Sequence, residues 1–226
     1  MMTETPSTSA GYAELPRLLS LMTGDEKHNL SAYSTLDVLW VLYDRVMRRC
    51  KSDPDRFLLS KGHGPQAYFA VLAAMGYFPE SLLTTFGEFD SPFGHHPDHL
   101  LVPGVEISSG SLGHGLAIAC GLAIGLRLQG SSARVFCLLG DAEMDEGSNH
   151  EAIVVADRLG VSNLTAIVID NDSASHGWPG GIERRFEVEG WATTRVNGRD
   201  HASIEAALAH QVAGRPGVVV AETEAK

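Results

Sequence analysis

Two polar clusters follow long apolar runs and carry oxygen atoms that could bind a metal ion. Asp141 comes shortly after the run 134–139, and Asn171 follows the run 164–169. If both runs are parallel strands, their carboxyl ends meet at one edge of a sheet, which is where such sheets bind ligands. The Asp141 carboxylate, the Asn171 amide oxygen and the Ser173 carbonyl could then hold a hard cation such as Mg²⁺ or Ca²⁺. The alternative is that Asp141 only caps the helix that follows.

Histidines form a second group of candidates. Most of the ten histidines lie in turn-like or glycine-rich segments: His28, His63, His95, His96, His99, His114 and His176. A single histidine of this kind is usually a surface or capping residue, whereas several in loops that converge favour a functional site. The segment 95–99 also permits a zinc site, although its compact spacing matches no recognised ligand pattern.

Two glycine motifs could approach a ligand closely. Residues 62–67 fit the G-x-G-x-x-A form of the dinucleotide fingerprint, but the acidic residue expected about 20 positions later is missing. Residues 110–115 (GSLGHG) open a helix of small residues, and their glycines could admit a ligand to the backbone or simply form a tight turn.

Along the chain, the spacing of apolar residues alternates between the patterns of strands and of helices, and these elements must position the candidate residues. Continuous apolar runs predict strands at 134–139 and 164–169, with a weaker strand at 191–196, a final one at 217–221 and a short apolar run at 56–59. Helical spacing predicts helices over 36–47 (with Ser34 or Thr35 as its cap), 66–75, 79–85, 115–128, 148–159 and 202–212. This order predicts an α/β fold with a mostly parallel sheet and helices on both faces.

Composition narrows the function classes. The 226 residues include 28 acidic and 17 basic side chains, a formal charge of −11, which argues against nucleic acid or an anionic membrane as a partner. Three cysteines without a pairing pattern indicate a reducing cytoplasm. Residues 1–11 lack the basic and apolar regions of a signal peptide and are predicted to form a flexible tail before a single domain, 12–226.

Five motifs, taken in order, resemble one family. They are SKGHGPQAYFAVLAAMGYFP (60–79), GHHPD (94–98), PGVEISSGSLGHG (103–115), LLGDAEMDEGSNHEA (138–152) and NLTAIVIDN (163–171). Together they resemble the amino-terminal, diphosphate-binding domain of transketolase over residues 17–221. The resemblance implies a three-layer thiamine diphosphate-binding fold. It also implies that Asp141, Asn171 and the Ser173 carbonyl hold a divalent metal that bridges the cofactor's diphosphate, with N–H groups offered by the turn from Gly140 to Ala142.

The resemblance also implies roles for three histidines. His63 would lie beside the diphosphate and the reaction centre. His96 would hydrogen-bond substrate hydroxyls, and His28 matches the first active-site histidine of the family.

Further positions match the family's cofactor and subunit contacts. Gly110 and Leu112 would contact the aminopyrimidine of the cofactor. Glu146 and Glu151 match acidic positions at the family's subunit contact, where a carboxylate relay is one hypothesis and a solvated helix start is the other.

The implied reaction is the transfer of a two-carbon ketol unit from a ketose or ketose phosphate donor to an aldehyde acceptor. The family also needs a pyrimidine-binding domain, for which this chain has no room. We therefore expect a split transketolase in which a second polypeptide supplies that domain, in an α2β2 heterotetramer. The alternatives are a non-catalytic scaffold or regulatory subunit, and another thiamine diphosphate enzyme such as a 2-oxo acid decarboxylase or a deoxyxylulose phosphate synthase.

Some positions depart from the family pattern. Ala142 replaces a glycine, His114 stands where glutamine is usual, and residues 175–178 replace a more aliphatic turn. The glycines around His28 are also replaced. Because these changes flank the expected substrate channel, a specialised donor or acceptor, as in secondary metabolism, is as compatible with the sequence as a pentose phosphate role.

Overall fold

The centre of the fold is a parallel sheet. A computed structural model describes residues 11–25 and 29–225. Within these ranges five strands pair in the order β1-β2-β3-β5-β4, and every pairing is parallel. The strands are β1 (Arg56–Leu59), β2 (Val135–Gly140), β3 (Leu164–Asp170), β4 (Ala192–Asn197) and β5 (Gly217–Glu222). The predicted strands are thus confirmed with shifts of about one residue at their ends.

Helices cover both faces of the sheet. They are α1 (Leu15–Ser20), α2 (Asn29–Val41), α3 (Gln66–Ala74), α4 (Gly115–Leu128), α5 (Gly147–Arg158), α6 (Ile182–Glu187) and α7 (His201–Ala209). Side chains of α1, α2, α3 and α7 form one apolar cluster, while those of α4, α5 and α6 form another. Alternate residues of β2 enter opposite clusters, Phe136 the first and Cys137 the second, because successive side chains of a strand point to opposite faces. The predicted three-layer α/β architecture is confirmed.

The second helix begins earlier than its sequence predicts. The prediction placed its start at Ser34 or Thr35, but α2 already includes Asn29, and a π-helical segment, Leu42–Val46, follows it. Both hydroxyls bond inside the helix: Ser34 Oγ donates to the Ser31 carbonyl (3.0 Å) and Thr35 Oγ1 to the Ala32 carbonyl (2.8 Å). Residues that often cap helices can also bond back to the preceding turn, and this choice is not visible in the sequence.

Other differences concern short elements. The predicted helix 79–85 is a 3-10 helix, Glu80–Thr85, and α7 ends at Ala209 instead of 212. Neither α1 nor α6 was predicted from the sequence. Of the predicted tail, residues 1–10 lie outside the described residues, and a 3-10 turn at Tyr12–Glu14 follows Gly11.

The parallel arrangement brings three loops to one edge. Register pairs Leu59 with Leu138 and Gly140 with Ile169, so the segments that follow β1, β2 and β3 leave the sheet side by side. These segments carry most of the candidate residues. No helix among residues 11–25 and 29–225 is long and apolar enough to cross a bilayer.

Candidate functional site

Asp141 joins the ends of β2 and β3. Its side chain is buried, and its carboxylate accepts hydrogen bonds from three backbone N–H groups, those of Ala142 (2.8 Å), Ser173 (2.6 Å) and Ala174 (3.1 Å). The Ser173 hydroxyl donates a further bond to it. Asp141 therefore does cap the 3-10 turn Ala142–Asp145, as the capping alternative expected, but it also binds the loop after β3. Two of the three predicted metal ligands, Asp141 and Ser173, are in direct contact.

The third predicted ligand, Asn171, lies at the start of the same loop. It is buried, and its Nδ2 donates to Ser34 Oγ at 3.4 Å. Asp172 follows with φ of +55°, a conformation that aspartate tolerates better than most residues. This turn directs the N–H groups of Ser173 and Ala174 back toward Asp141, so the loop presents its oxygen and nitrogen atoms at the strand ends.

Lys61 is a site residue that was not predicted from the sequence. It is buried at the end of β1, and its Nζ donates to the Ser31 carbonyl (2.9 Å) and to Ser34 Oγ (3.2 Å). A Cβ built on Gly140 would lie 3.7 Å from Lys61 Cγ, so the lysine stem runs beside the glycine turn. The available signal in the sequence was a lysine two residues after the apolar run 56–59 and next to Gly62. It places a positive charge at the edge where an anion is expected.

Glu143 was also missed. It is buried, and its Oε1 accepts from Ser60 Oγ (2.5 Å) and from the Gly113 N–H (2.9 Å). Burial raises the pKa of Glu143 above its usual value, although these hydrogen bonds act in the opposite direction. Because residues 141–146 are rich in acidic side chains, the sequence predicts a solvent-exposed turn there and gives no sign that this carboxyl is buried.

Two of the predicted catalytic histidines lie together. The rings of His63 and His96 have centroids 5.7 Å apart, and both side chains are exposed. His96 Nδ1 lies 2.6 Å from the Gly62 carbonyl, which can only accept, so Nδ1 carries a proton. The Nε2 atom of a neutral His96 is then left as an acceptor. His28 lies outside the described residues.

The histidines proposed for zinc have separate partners. His95 Nδ1 lies 3.3 Å from Asp25 Oδ2, and His99 Nδ1 lies 3.0 Å from Ser108 Oγ. Within residues 11–25 and 29–225 there is no group of three or more His, Cys, Asp or Glu side chains suited to a metal. The zinc alternative therefore has no support in the described part of the chain.

The glycine motif at 110–115 packs against His96. A Cβ on Gly110 would approach the His96 ring to 3.0 Å, and a Cβ on Gly62 would lie 3.1 Å from both the Gly110 carbonyl oxygen and Leu112 Cδ2. Leu112 itself is partly exposed. The absence of side chains at the two glycines thus lets this motif and the histidine loops come together.

The predicted acidic contact residues lie at the first turns of α5. Glu146 is the residue before this helix, Glu151 is within it, and both are exposed. A Cβ on Gly113 would lie 2.6 Å from Glu146 Cβ, so the start of α5 also borders the glycine motif.

Comparison with known proteins identifies the family. The model of the thiamine diphosphate-binding domain of transketolase matches residues 21–224. The chain belongs to the transketolase family. It is 36% identical over 208 residues to one subunit of the apulose-4-phosphate transketolase of Actinobacillus succinogenes, covering 87% of this chain and 75% of that protein. The subunit of the same name from Phocaeicola vulgatus is 33% identical, over 76% of this chain and 64% of that protein.

A further relative carries a different name. Ferredoxin fas2 of Rhodococcoides fascians is 54% identical over 220 residues, which cover 95% of this chain and 72% of that protein. The shared segment contains the transketolase domain, so the word ferredoxin is not carried over to this chain.

Solved structures confirm the fold of this transketolase-family chain. A transketolase from Pichia stipitis superposes with a TM-score of 0.80 at 24% identity, and one from Leishmania mexicana with 0.77 at 24%. The chain spans 35% and 36% of the length of these two proteins. The expected thiamine diphosphate-binding fold is therefore present in a chain about one third as long as these transketolases.

Proposed function

We propose that this chain is the diphosphate-binding subunit of a split thiamine diphosphate-dependent transketolase. It would transfer a two-carbon ketol unit from a ketose or ketose phosphate to an aldehyde. The observation that carries the proposal is the joining of the ends of β2 and β3 through Asp141, in a chain of this family. The two apulose-4-phosphate transketolase relatives, each named as one subunit of its enzyme, support the split arrangement.

The residues at this edge fit a divalent cation. Asp141, Asn171 and the Ser173 carbonyl would supply a carboxylate, an amide oxygen and a backbone oxygen, the hard ligands that Mg²⁺ or Ca²⁺ prefers. Asp141 and Asn171 are buried at neighbouring strand ends, and Ser173 already contacts Asp141. Holding a cation would require Ser173 to release at least part of its bonding to the carboxylate.

The remaining residues would orient the reactants. When bound, thiamine diphosphate supplies the nucleophilic carbon that accepts and passes on the two-carbon unit. Lys61 would offset part of the diphosphate charge, and the turn from Gly140 to Ala142 would offer N–H groups. His96 would accept a hydrogen bond from a substrate hydroxyl through Nε2, because Nδ1 is bonded to Gly62. His63, whose ring neighbours that of His96, would lie beside the diphosphate and the reaction centre.

The proposed partner is a separate pyrimidine-binding subunit, in an α2β2 assembly. The exposed Glu146 and Glu151 would lie at the subunit contact. Cys50, Cys120 and Cys137 are free thiols, which is compatible with the proposed cytoplasmic location.

Turnover by the assembled complex tests the proposal. The chain and its pyrimidine-binding partner should together move two carbons from a ketose phosphate to an aldehyde, which forms a new ketose and leaves the shortened carbonyl compound. Apulose 4-phosphate is a natural first donor given the names of the relatives. The Asp141→Ala complex should lose this activity. Turnover unchanged by that substitution would indicate a scaffold subunit, and carbon dioxide release from a 2-oxo acid would indicate a decarboxylase or a synthase of deoxyxylulose type.

A further inference from the structure

Glu143 connects three parts of the site, and the proposed function gives it no role. Its side chain is only 1% exposed, in the 3-10 turn that follows Asp141. Oε1 accepts from Ser60 Oγ, directly after β1, and from the N–H of Gly113 in the glycine motif. One buried oxygen atom therefore ties the end of β1 to the segment 110–115, which we call the glycine loop.

The glycine loop is held at its carboxyl end by a closed set of hydrogen bonds. Ser60 Oγ accepts from the Gly115 N–H at 3.0 Å while it donates to Glu143. Ser148 Oγ, at the start of α5, donates to the Gly113 carbonyl at 2.7 Å. A Cβ on Gly115 would lie 2.3 Å from Ser60 Oγ, so the backbone of the loop rests directly on this serine.

The other end of the glycine loop carries the residues expected to contact the cofactor ring. Gly110 packs against the His96 imidazole, and Leu112 packs against Gly62. Gly113 has φ of +84° and is next in sequence to Leu112, so we expect a change in its bonding to Glu143 to shift Leu112.

Burial of the Glu143 carboxyl group does not favour the stability of the fold. Its Oε2 is buried and has no hydrogen-bond partner among the described residues. Burying a polar atom without a partner is unfavourable, and an apolar side chain of similar size would avoid that cost. The bond from Oε1 to the glycine loop is a local contribution that such an apolar side chain could not make.

We propose that Glu143 is a positioning residue that holds the glycine loop in the conformation in which Gly110 and Leu112 receive the aminopyrimidine of the cofactor. The hold on the loop follows from the structure of the chain itself. The identity of the ring rests on the proposed function, so the two parts are tested separately.

Hydrogen exchange in the full chain tests the hold on the loop. In Glu143→Leu, the Gly113 amide should exchange about 10-fold faster, because it loses its acceptor. Glu143→Gln should stay close to wild type, because its side-chain carbonyl replaces Oε1. In case Glu143→Leu does not fold, Ser60→Ala is a second variant, in which the Gly115 amide should exchange faster. The control is Leu208→Ala, which opens a cavity in the buried face of α7, away from the loop.

Three exchange results would overturn the proposal. The first is unchanged exchange at Gly113 in Glu143→Leu together with unchanged exchange at Gly115 in Ser60→Ala. The second is faster exchange at Gly113 in Leu208→Ala to the same degree as in Glu143→Leu. The third is a loss of protection in Glu143→Leu that extends through β2 and β3, since that would make Glu143 a general support of the fold.

A comparison of the affinities for two ligands tests whether Glu143 helps to place the aminopyrimidine ring. With Mg²⁺ present, the complex carrying Glu143→Leu should bind thiamine diphosphate about 10-fold more weakly than wild type, but inorganic pyrophosphate within about twofold, because only the first ligand has a ring to place. The complex carrying Glu143→Gln should bind thiamine diphosphate nearly as tightly as wild type. Equal weakening for both ligands would overturn the positioning role. A wild-type complex that binds pyrophosphate but not thiamine diphosphate would contradict the proposed function instead, and the exchange result would still decide whether Glu143 holds the loop.

Discussion

The two edges of the sheet use buried carboxylates differently. At the amino edge, Asp55 precedes β1 and bonds to two guanidinium groups, with Arg134 Nη2 at 2.6 Å and Arg48 Nη2 at 2.9 Å. At the carboxyl edge, Asp141 and Glu143 take their bonds from backbone N–H groups and serine hydroxyls. The first arrangement neutralises a charge within the fold. The second bonds Asp141 and one oxygen of Glu143 to neutral donors. We expect those at Asp141 to give way in part to a cation, whereas those at Glu143 hold a loop.

The difference is reflected in the pKa of Asp55. Burial acts to raise this pKa, but the hydrogen bonds from Arg134 and Arg48 outweigh it, and the pKa lies below its usual value. Asp55 therefore contributes to the stability of the folded chain, whereas we expect Asp141 to contribute to ligand binding. Substitutions at the two edges should separate stability from activity.

The largest effect should come from Asp141→Ala. Loss of the carboxylate should weaken Mg²⁺-dependent binding of thiamine diphosphate by roughly 1,000-fold or more, because the metal loses a ligand and the loop after β3 loses its anchor. Calorimetric titration of the complex, with and without a chelator, measures this. Asp172→Ala, an exposed residue in the same loop, is the control for a general disturbance of that loop. If Asp141→Ala bound thiamine diphosphate as tightly as wild type, the carboxyl edge would not be specialised for ligand binding.

The next largest effect should be Asp55→Ala, at the opposite edge. This change leaves the mostly buried Arg134 without its partner, and should cost about 3 kcal/mol of the free energy of unfolding. Urea denaturation measures this, and cofactor affinity in the folded complex should stay within about twofold. The control is Arg17→Ala, whose ion pairs are exposed and should contribute less than about 1 kcal/mol. A loss of affinity as large as the one at Asp141 would refute the division of roles.

His96 should show a smaller and purely functional effect. Asparagine can keep the hydrogen bond to the Gly62 carbonyl but lacks a group at the Nε2 position, so His96→Asn should lower kcat/KM by about 100-fold with the Tm unchanged. The matched variant is His96→Gln, which can reach the Nε2 position and should retain more activity. Equal activity of the two variants would exclude Nε2 as the functional atom.

The smallest effect should be the pH dependence at Asp55. Because the pKa of this carboxyl is lowered in the folded chain, its contribution is present above the unfolded value, near 3.8, and is lost as the pH falls through the folded value. The difference in free energy of unfolding between wild type and Asp55→Asn should therefore be constant from about pH 6 to 8 and shrink below about pH 4. Urea midpoints across this range would show it. If the difference grew as the pH fell, the pKa of Asp55 would be raised by folding and not lowered, which would contradict the account.

The sequence predicted the scaffold better than the site. The apolar runs at β2 and β3 identify buried parallel strands directly, and Asp141 and Asn171 were found because they follow those strands. Lys61 and Glu143 were missed because a charged residue next to glycine or in an acidic segment normally indicates a solvated position. Their burial depends on contacts with Ser31 and with Gly113, which lie 30 residues away in each case. Such long-range contacts leave no local pattern.

The most direct test of the central claim is ketol transfer by the chain alone and in combination. We predict no transfer from a ketose phosphate by the purified chain with thiamine diphosphate and Mg²⁺, and full transfer once the pyrimidine-binding subunit is added. Full activity of the chain alone would contradict the account.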